Sequence, residues 1–337
     1  MTDTTHRTSS APTGATDPGF TAQRAAVLQW TAERGIFVFT VALIVFAAVF
    51  VDGFASTVNV TDVFHRAAPV GIVAVGMTFV VISGNYLDLS VVAQVATSAV
   101  ILIAVSNAHN MAAAVGLAVL VALLYGAVNG TAVGFFKANA VIVTLSTTFV
   151  GLGMLRWLSG GSIYFGPKNG LIDSLGEVKL GPVPLSALVL VVLAAILTFV
   201  LVRTNFGFLI RAFGSSNEAT RIAGVSTPRV VIGAFVITSL SAMLAGFVLA
   251  AFSNTAVSTM AGGFDFRALA AIIIGGTSVF GGRGSIPRTV LGVIFVSVLT
   301  NILVLSNVGF GWQQIAIGCL IVMAVTVDAA ARKAGHS

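Results

Sequence analysis

The stretch RTNFGFLIRAFGSSNEATRIAGVSTPR, Arg203 to Arg229, separates two long apolar runs, Leu185–Val202 and Val230–Phe252. It is the longest polar interruption in the second half of the chain, and a short helix inside it is marked at both ends. Ser215 and Glu218 have the S-x-x-E spacing of a capping box, in which hydroxyl and carboxylate each take up an otherwise orphaned backbone N–H. Gly224 supplies a left-handed residue just past the helix end, and Pro228 opposes an immediate restart. About two turns remain, too few to be stable alone in water. Such a helix, carrying Arg211 and Arg221 between membrane runs, either docks on a partner or is a solvated loop with incidental helical character. Spacing alone leaves both open.

The composition around that stretch admits one class. The 337 residues are 57% hydrophobic and 8% charged, whereas a soluble domain carries about 25% charged residues. The net charge of +6 is scattered, and nucleic-acid binding needs a concentrated basic face, so that class is set aside. The single cysteine, Cys319, excludes an intramolecular disulfide and a cysteine-cluster metal site; its apolar run reads as a buried, inert thiol. His6, His65, His109 and His336 are far apart and offer no local ligand pair.

Ten apolar runs follow a Thr-, Ser-, Ala- and Gly-rich segment at 1–34, which lacks the marks of a signal peptide and reads as a disordered cytoplasmic tail. The runs are Ile36–Val51, Ala67–Ile82, Leu89–Val105, Met111–Val128 and Ala140–Trp157, then Leu185–Val202, Val230–Phe252, Ala268–Phe280, Val290–Leu305 and Ile315–Val327. A bilayer needs about 20 residues of helix, so most are near spanning length. Ala268–Phe280 and Ile315–Val327 are short, and one of them suits a half-helix or re-entrant piece. The expectation is an all-α polytopic membrane protein of about ten transmembrane helices, with a membrane domain over 35–329, a cytoplasmic loop at 203–229 and a cytoplasmic tail at 330–337. With the N-terminus inside, only Arg66, Arg156, Lys168, Lys179 and Arg267 of the 17 basic residues fall outside, which satisfies the positive-inside rule and puts both termini in the cytoplasm. Ser159–Pro184 is then the longest outer loop, too small for a domain. A faint internal echo pairs Ile72, Gly76, Gly84, Ser106 and Asn107 with Ile272, Gly276, Gly284, Ser306 and Asn307.

Charges at bilayer depth usually mark function, and here they are almost absent: Asp88 lies at one span end and Arg156 near another. A proton relay is hard to build from this. The chain also has no G-x-x-x-x-G-K-[ST] phosphate loop, so any ATP it uses by that route is hydrolysed elsewhere. Three breaks interrupt the spans. In Ser83–Ser90, SGNYLDLS, Asp88 is placed to cap a helix starting at Leu89. Asn129-Gly130 and the hydroxyls of Thr144, Ser146, Thr147 and Thr148 serve either interhelical packing or a pathway. Gly275–Ser285, GGTSVFGGRGS, permits unwound backbone or very close helix approach, with Arg283 marking the inner membrane boundary.

Taken together, Ala212–Val225 (AFGSSNEATRIAGV), Gly275–Ile286 (GGTSVFGGRGSI), Asp88–Ser90 (DLS), Asn129-Gly130 with Val141–Thr147 (VIVTLST), and Trp312–Gly318 (WQQIAIG) resemble the membrane permease subunit of ribose-type bacterial ABC importers. The resemblance runs from about Arg66 to Asp328 in order and with matching spacing. It implies the fold of the vitamin B12-type importers and a bacterial inner-membrane location. Ala212–Val225 becomes a cytoplasmic coupling helix seated on an ATPase subunit, with Ser215, Asn217, Glu218, Ala219, Arg221, Gly224 and Val225 at that contact. The implied partners are that ATPase, which holds ATP and Mg, a solute-binding protein on the outer side, and a second permease copy. The chain itself is expected to bind no cofactor or metal and to carry no catalytic residue. Translocation or gating is expected at Asn85, Asp88 and Ser90, at Asn129, Thr144 and Thr147, and at Gly276, Gly281, Gly282, Arg283 and Gly284. Two departures bear on substrate: the run Ser83–Leu87 is bulkier than the family's usual Gly-Gly-Ile before DLS, and Pro287-Arg288-Thr289 replaces its common Trp-Gly-Thr.

The reading is therefore a permease importing a small polar solute, a monosaccharide or polyol, by alternating access. Branched-chain amino acid and nucleoside permeases share the architecture. A stand-alone secondary transporter or channel is the rival of another class, but it leaves the capped helix without a task.

Overall fold

The computed structural model describes residues 35–334 except Asn85, Lys168, Asn169 and Pro182, and the expected tail at 1–34 lies outside it. Every apolar run holds a helix, though Ala268–Phe280 is helical only through Ile274. The helices are α1 (Gly35–Phe50), α2 (Thr57–Ile82), α3 (Val91–Ala108), α4 (Met111–Gly134), α5 (Ala140–Ser159), α6 (Leu171–Glu177), α7 (Leu185–Arg203), α8 (Asn205–Ser215), α9 (Asn217–Ile222), α10 (Thr227–Ser253), α11 (Phe264–Ile274), α12 (Ile286–Leu305) and α13 (Phe310–Ala334). Among the described residues, seven are long and apolar enough to cross a membrane: α2, α3, α4, α5, α7, α10 and α12. Of the two short runs, Ala268–Phe280 holds the 11-residue α11, whereas Ile315–Val327 lies within the 25-residue α13. α13 continues through Ala334, so the segment expected as a tail from 330 is helical over its first part.

Short polar residues set the boundaries. Ser56, Asn110 and Asn139 lend side-chain oxygens to the first free backbone N–H groups of α2, α4 and α5. α5 stops at Gly160, which is left-handed. Polar Thr57–Arg66 is also helical, so α2 begins well before the apolar run that marks it.

α2 is the central post. Every residue from Ala67 to Ile82 is buried, with α10, α7, α11 and α12 around it. α4 and α10 approach closely because Gly126 and Gly130 leave no side chain between them: a Cβ on either would lie 2.6 Å from the Cα of Val236 or Ile232. By contrast α5 buries few residues and turns Ile142, Phe149 and Trp157 outward, as a helix against lipid does. Cys319 is exposed on α13, not buried as expected, because an apolar run in a membrane protein can face lipid instead of a protein core.

The fold departs from all-α in four two-residue strands. β1 (Tyr164–Phe165) pairs antiparallel with β4 (Thr255–Ala256), and β2 (Lys179–Leu180) with β3 (Val183–Pro184). They lie in the long loop after α5 and past the end of α10, where Asn107 also donates to the Phe165 carbonyl at 2.9 Å. α8 and α9 sit at the other face. The internal echo is not residue by residue, since Gly76 lies inside α2 whereas Gly276 lies in the break after α11.

Candidate functional site

The polar stretch from Arg203 to Arg229 builds two helices, not one. α8 carries Arg211, whose guanidinium donates to the Leu201 carbonyl and so staples α8 to the end of α7. Ser216 ends α8 and begins α9, with its hydroxyl accepting from Ala219 N–H at 3.2 Å. The cap is therefore one residue later than the capping box read from Ser215 and Glu218. Ser215 still belongs to α8, and its hydroxyl donates to the Arg211 carbonyl at 2.9 Å. Glu218 consequently falls at the second helical position and pairs with Arg221 at 2.7 Å, both side chains being two-thirds exposed. The far end follows expectation: Gly224 is left-handed at φ +80° and donates to Arg221 O, while Val225 donates to Thr220 O, the two bonds of a Schellman motif. Pro228 does not delay the next helix. It sits in the first turn of α10, where a missing N–H costs nothing.

α9 projects from the bundle. Asn217, Glu218, Ala219, Arg221 and Gly224 are exposed, Val225 is half-buried against the core, and Thr220 is the buried residue that seats the helix. Ile222, which the motif reading passed over, is 77% exposed. Its signal in the sequence was a lone branched aliphatic side chain in a polar six-residue helix.

The break between α2 and α3 is held from two directions. At its second end Asp88, Ser90 and Asn129 are fully buried. Asp88 does not cap a helix from Leu89. Its Oδ1 accepts from the N–H and hydroxyl of Ser90, and α3 starts at Val91. The Ser90 hydroxyl is a hub, because Asn129 Nδ2 (2.8 Å) and Gln94 Nε2 (2.7 Å) both donate to it. A hydroxyl has one proton, and here it goes to Asp88, so both amides must present N–H and turn their carbonyls elsewhere. From α5, Thr148 donates to Leu89 O at 3.0 Å, and Thr144 lies 3.4 Å from Leu87 O while bonding Ala140 O at 2.8 Å. The hydroxyls thus serve their own helix and the neighbouring break together. Thr147 bonds only within α5, to Thr144 O. Gln94 and Thr148 complete this polar bracket; Thr148 was among the hydroxyls singled out in the sequence, whereas Gln94 was missed as span interior. Asn85 lies outside the described residues.

At its first end the same break meets the glycine-rich segment. Ser278 donates to Arg283 O and Gly281 to Ser278 O, closing a tight loop between α11 and α12. Gly284 packs on the Ile82 side chain, Gly276 and Arg283 are exposed, and Gly281 and Gly282 are buried. The hydroxyls of Thr78 and Thr289 lie 3.1 Å apart, joining α2 to the first turn of α12. The structure therefore brings Asp88, Ser90, Asn129 and Thr144 into one cluster, Gly281 and Gly282 into a second contact, and leaves most of α9 apart from both.

Residues 59–325 match the family model described as branched-chain amino acid transport system / permease component. The chain is similar to a probable ABC transporter permease protein, YphD, of Escherichia coli, with 34% identity over 88% of this chain and 89% of the relative. It is 27% identical to the ribose import permease RbsC of Haemophilus influenzae, covering 88% and 93% of the two chains. The L-arabinose permease AraH of Escherichia coli is 29% identical, with 90% and 92% covered. No solved structure matches. With seven long apolar helices and a family match that spans α2 to α13, the chain is a multi-pass membrane protein and belongs to this family of transport-system permease components.

Proposed function

We propose that this chain is the permease subunit of an ATP-driven importer for a monosaccharide or related polyol. The observation that carries the reading is α9: a doubly capped helix, too short to persist alone, held out from a membrane bundle with Glu218, Arg221 and Ile222 exposed. That is the shape of a helix made to be gripped. Curated relatives named for ribose, D-allose, L-arabinose and autoinducer 2 support the substrate class. ATP and Mg belong to a separate ATPase subunit, and a solute-binding protein delivers substrate to the opposite face. We read α1, α2, α3, α4, α5, α7, α10, α11, α12 and α13 as the ten membrane segments of a vitamin B12-type permease, with α11 a half-span and both termini cytoplasmic. Two copies enclose the pathway, and ATP binding rocks them between inward and outward access.

Asp88, Ser90, Asn129 and Thr144 are assigned to gating, not to lining. They are buried among the helices of one copy, where solute moving between two copies does not pass, and they fix the backbone of the break between α2 and α3. The neighbouring Thr147, Gly276, Arg283 and Gly284 are assigned to the same movable layer. A pathway with so few charges suits a neutral solute, because it supplies no fixed counter-charge.

The test is a mild-detergent pull-down of the tagged chain from its native membrane, followed by reconstitution of what co-purifies. A stoichiometric ATPase subunit, lost in Glu218→Arg while the permease itself still accumulates, is the expected result. A clean homo-oligomer that transports without ATP overturns the reading.

A further inference from the structure

Three segments remote in sequence meet at one point, and no side chain separates them. The chain leaves α2 through Ile82, Ser83 and Gly84; α8 ends at Gly214 and Ser215; the break between α11 and α12 passes by at Gly281 and Gly282. Gly282 donates its N–H to the Ile82 carbonyl at 2.8 Å. A Cβ on Gly281 would lie 2.5 Å from Gly84 Cα and 3.1 Å from the Gly214 carbonyl oxygen. One on Gly214 would overlap the Ile82 carbonyl oxygen and reach within 2.5 Å of Gly282 N. One on Gly282 would lie 2.6 Å from Ser215 Oγ and 3.0 Å from Ser215 Cα. Backbones packed at this separation have no slack, since a close-packed interior transmits a displacement instead of absorbing it.

The rest of α9 gives a push few other routes inward. Thr220 is its buried residue, and its far end runs through exposed Ala223 and Gly224 before half-buried Val225 leads into α10. Its near end is continuous with Ser215 and Gly214. On the receiving side, Ile82 ends the helix buried over its whole second half, and Gly281 and Gly282 stand just before α12. Thr78 and Thr289 then tie those two helices to each other.

We infer that this glycine crossing is the joint through which movement of α8 and α9 enters the bundle, with Gly84, Gly214, Gly281 and Gly282 as positioning residues for energy coupling. The inference rests on the proposed role of α9 as the ATPase contact. Under it, α8, the end of α2 and the start of α12 move as one piece. ATP-driven displacement reaches the gating break through backbone contact, not through a chain of side chains.

The experiment uses the complete transporter in vesicles, with solute uptake and ATP hydrolysis measured together. Gly281→Ala should still co-purify with the ATPase and sustain hydrolysis, while solute moved per ATP falls at least about tenfold, within the usual range of coupling between sites. A merely structural defect would lower both rates together. An unchanged ratio overturns the inference. Should that variant fail to accumulate, spin labels decide the matter without adding bulk to the crossing. In a Cys319→Ser background, Phe208→Cys and Pro287→Cys report α8 against the start of α12, and Phe208→Cys with Phe310→Cys reports α8 against the opposite face. The first distance should stay the same between nucleotide-free and ATP-trapped states while the second changes. A first distance that changes means the segments slide past one another, and the joint is refuted. A parent chain that binds no ATPase removes the reading of α9, and the inference falls with it; a bound ATPase with an unchanged ratio removes the inference alone.

Discussion

The break between α2 and α3 is held at its two ends by opposite kinds of chemistry. At Gly84 it is pinned by backbone alone, where Gly214 and Gly281 come so close that a side chain on either of those two would collide. At Asp88–Ser90 it is pinned by side chains, through a hydroxyl hub joined to Gln94 and Asn129 and two threonines reaching from α5. The first end is indifferent to polarity and intolerant of volume. The second tolerates volume of the right shape and is intolerant of lost hydrogen bonds. A membrane interior makes the second expensive to disturb, because a stranded polar group finds no water there, while the first resists by collision.

The largest effect on the fold is expected where one atom serves most partners. Ser90→Ala strands Asn129 Nδ2 and Gln94 Nε2 together and leaves Asp88 Oδ1 only the backbone N–H of residue 90, at about 1–3 kcal/mol for each buried group left unpaired. Thermal unfolding in detergent should show a large loss of stability, and Ser90→Thr, which keeps the hydroxyl, should recover part of it. A near-neutral Ser90→Ala would mean that the bracket is held by packing. Next comes Gly214, where Ala and Ser should cost the same, about 1–3 kcal/mol, because the obstacle is the Ile82 carbonyl and a hydroxyl cannot relieve it. If Ser were well tolerated and Ala were not, the two ends of the break would be alike after all. Smaller again is Thr148→Val. It keeps the shape and removes one bond to Leu89 O, at about 0.5–1.5 kcal/mol by the same unfolding measurement.

These two ends were unequally legible in the sequence. The apolar runs and the places where they break are a matter of composition, and each run holds a helix, Ala268–Phe280 only through Ile274. Asp88, Ser90 and Asn129 stood out because polar side chains are rare in such runs. Gln94 did not, since a polar residue flanked by Val and Ala at helical spacing looks the same whether it faces a partner or bonds its own backbone. The contact among Gly84, Gly214 and Gly281 was invisible for a different reason: a glycine has no side chain whose chemistry could point to its partner. Register inside Arg203–Arg229 slipped by one residue because Ser215 was read as a cap, whereas it is the last residue of α8. Once it is helical through Ser215, only Ser216 is left in extended backbone to cap α9. The nearly uniform apolarity of α5 and α2 hid that one faces outward and the other is enclosed.

The smallest effect on the fold belongs to Ile222, and it sharpens the contrast between parts that hold the bundle together and a part held out from it. Ile222 is 77% exposed, so Ile222→Ser removes almost no buried contact and should leave the unfolding temperature of the isolated chain unchanged. If α9 lies in a groove of an ATPase subunit, the same side chain becomes buried in the complex. Fully burying an aliphatic side chain is worth about 1.5–3 kcal/mol, and each 1.4 kcal/mol is about a factor of ten in affinity. The ATPase should then dissociate roughly ten- to a hundredfold more readily from the variant, measured as its yield in a diluted pull-down. Replacing Ser90 should reverse the pattern, with lower stability and unchanged ATPase yield from whatever chain remains folded. Were Ile222→Ser to change neither quantity, the exposed aliphatic side chain would not be part of the contact, and the grip on α9 would rest on its other exposed residues, Glu218 and Arg221 among them.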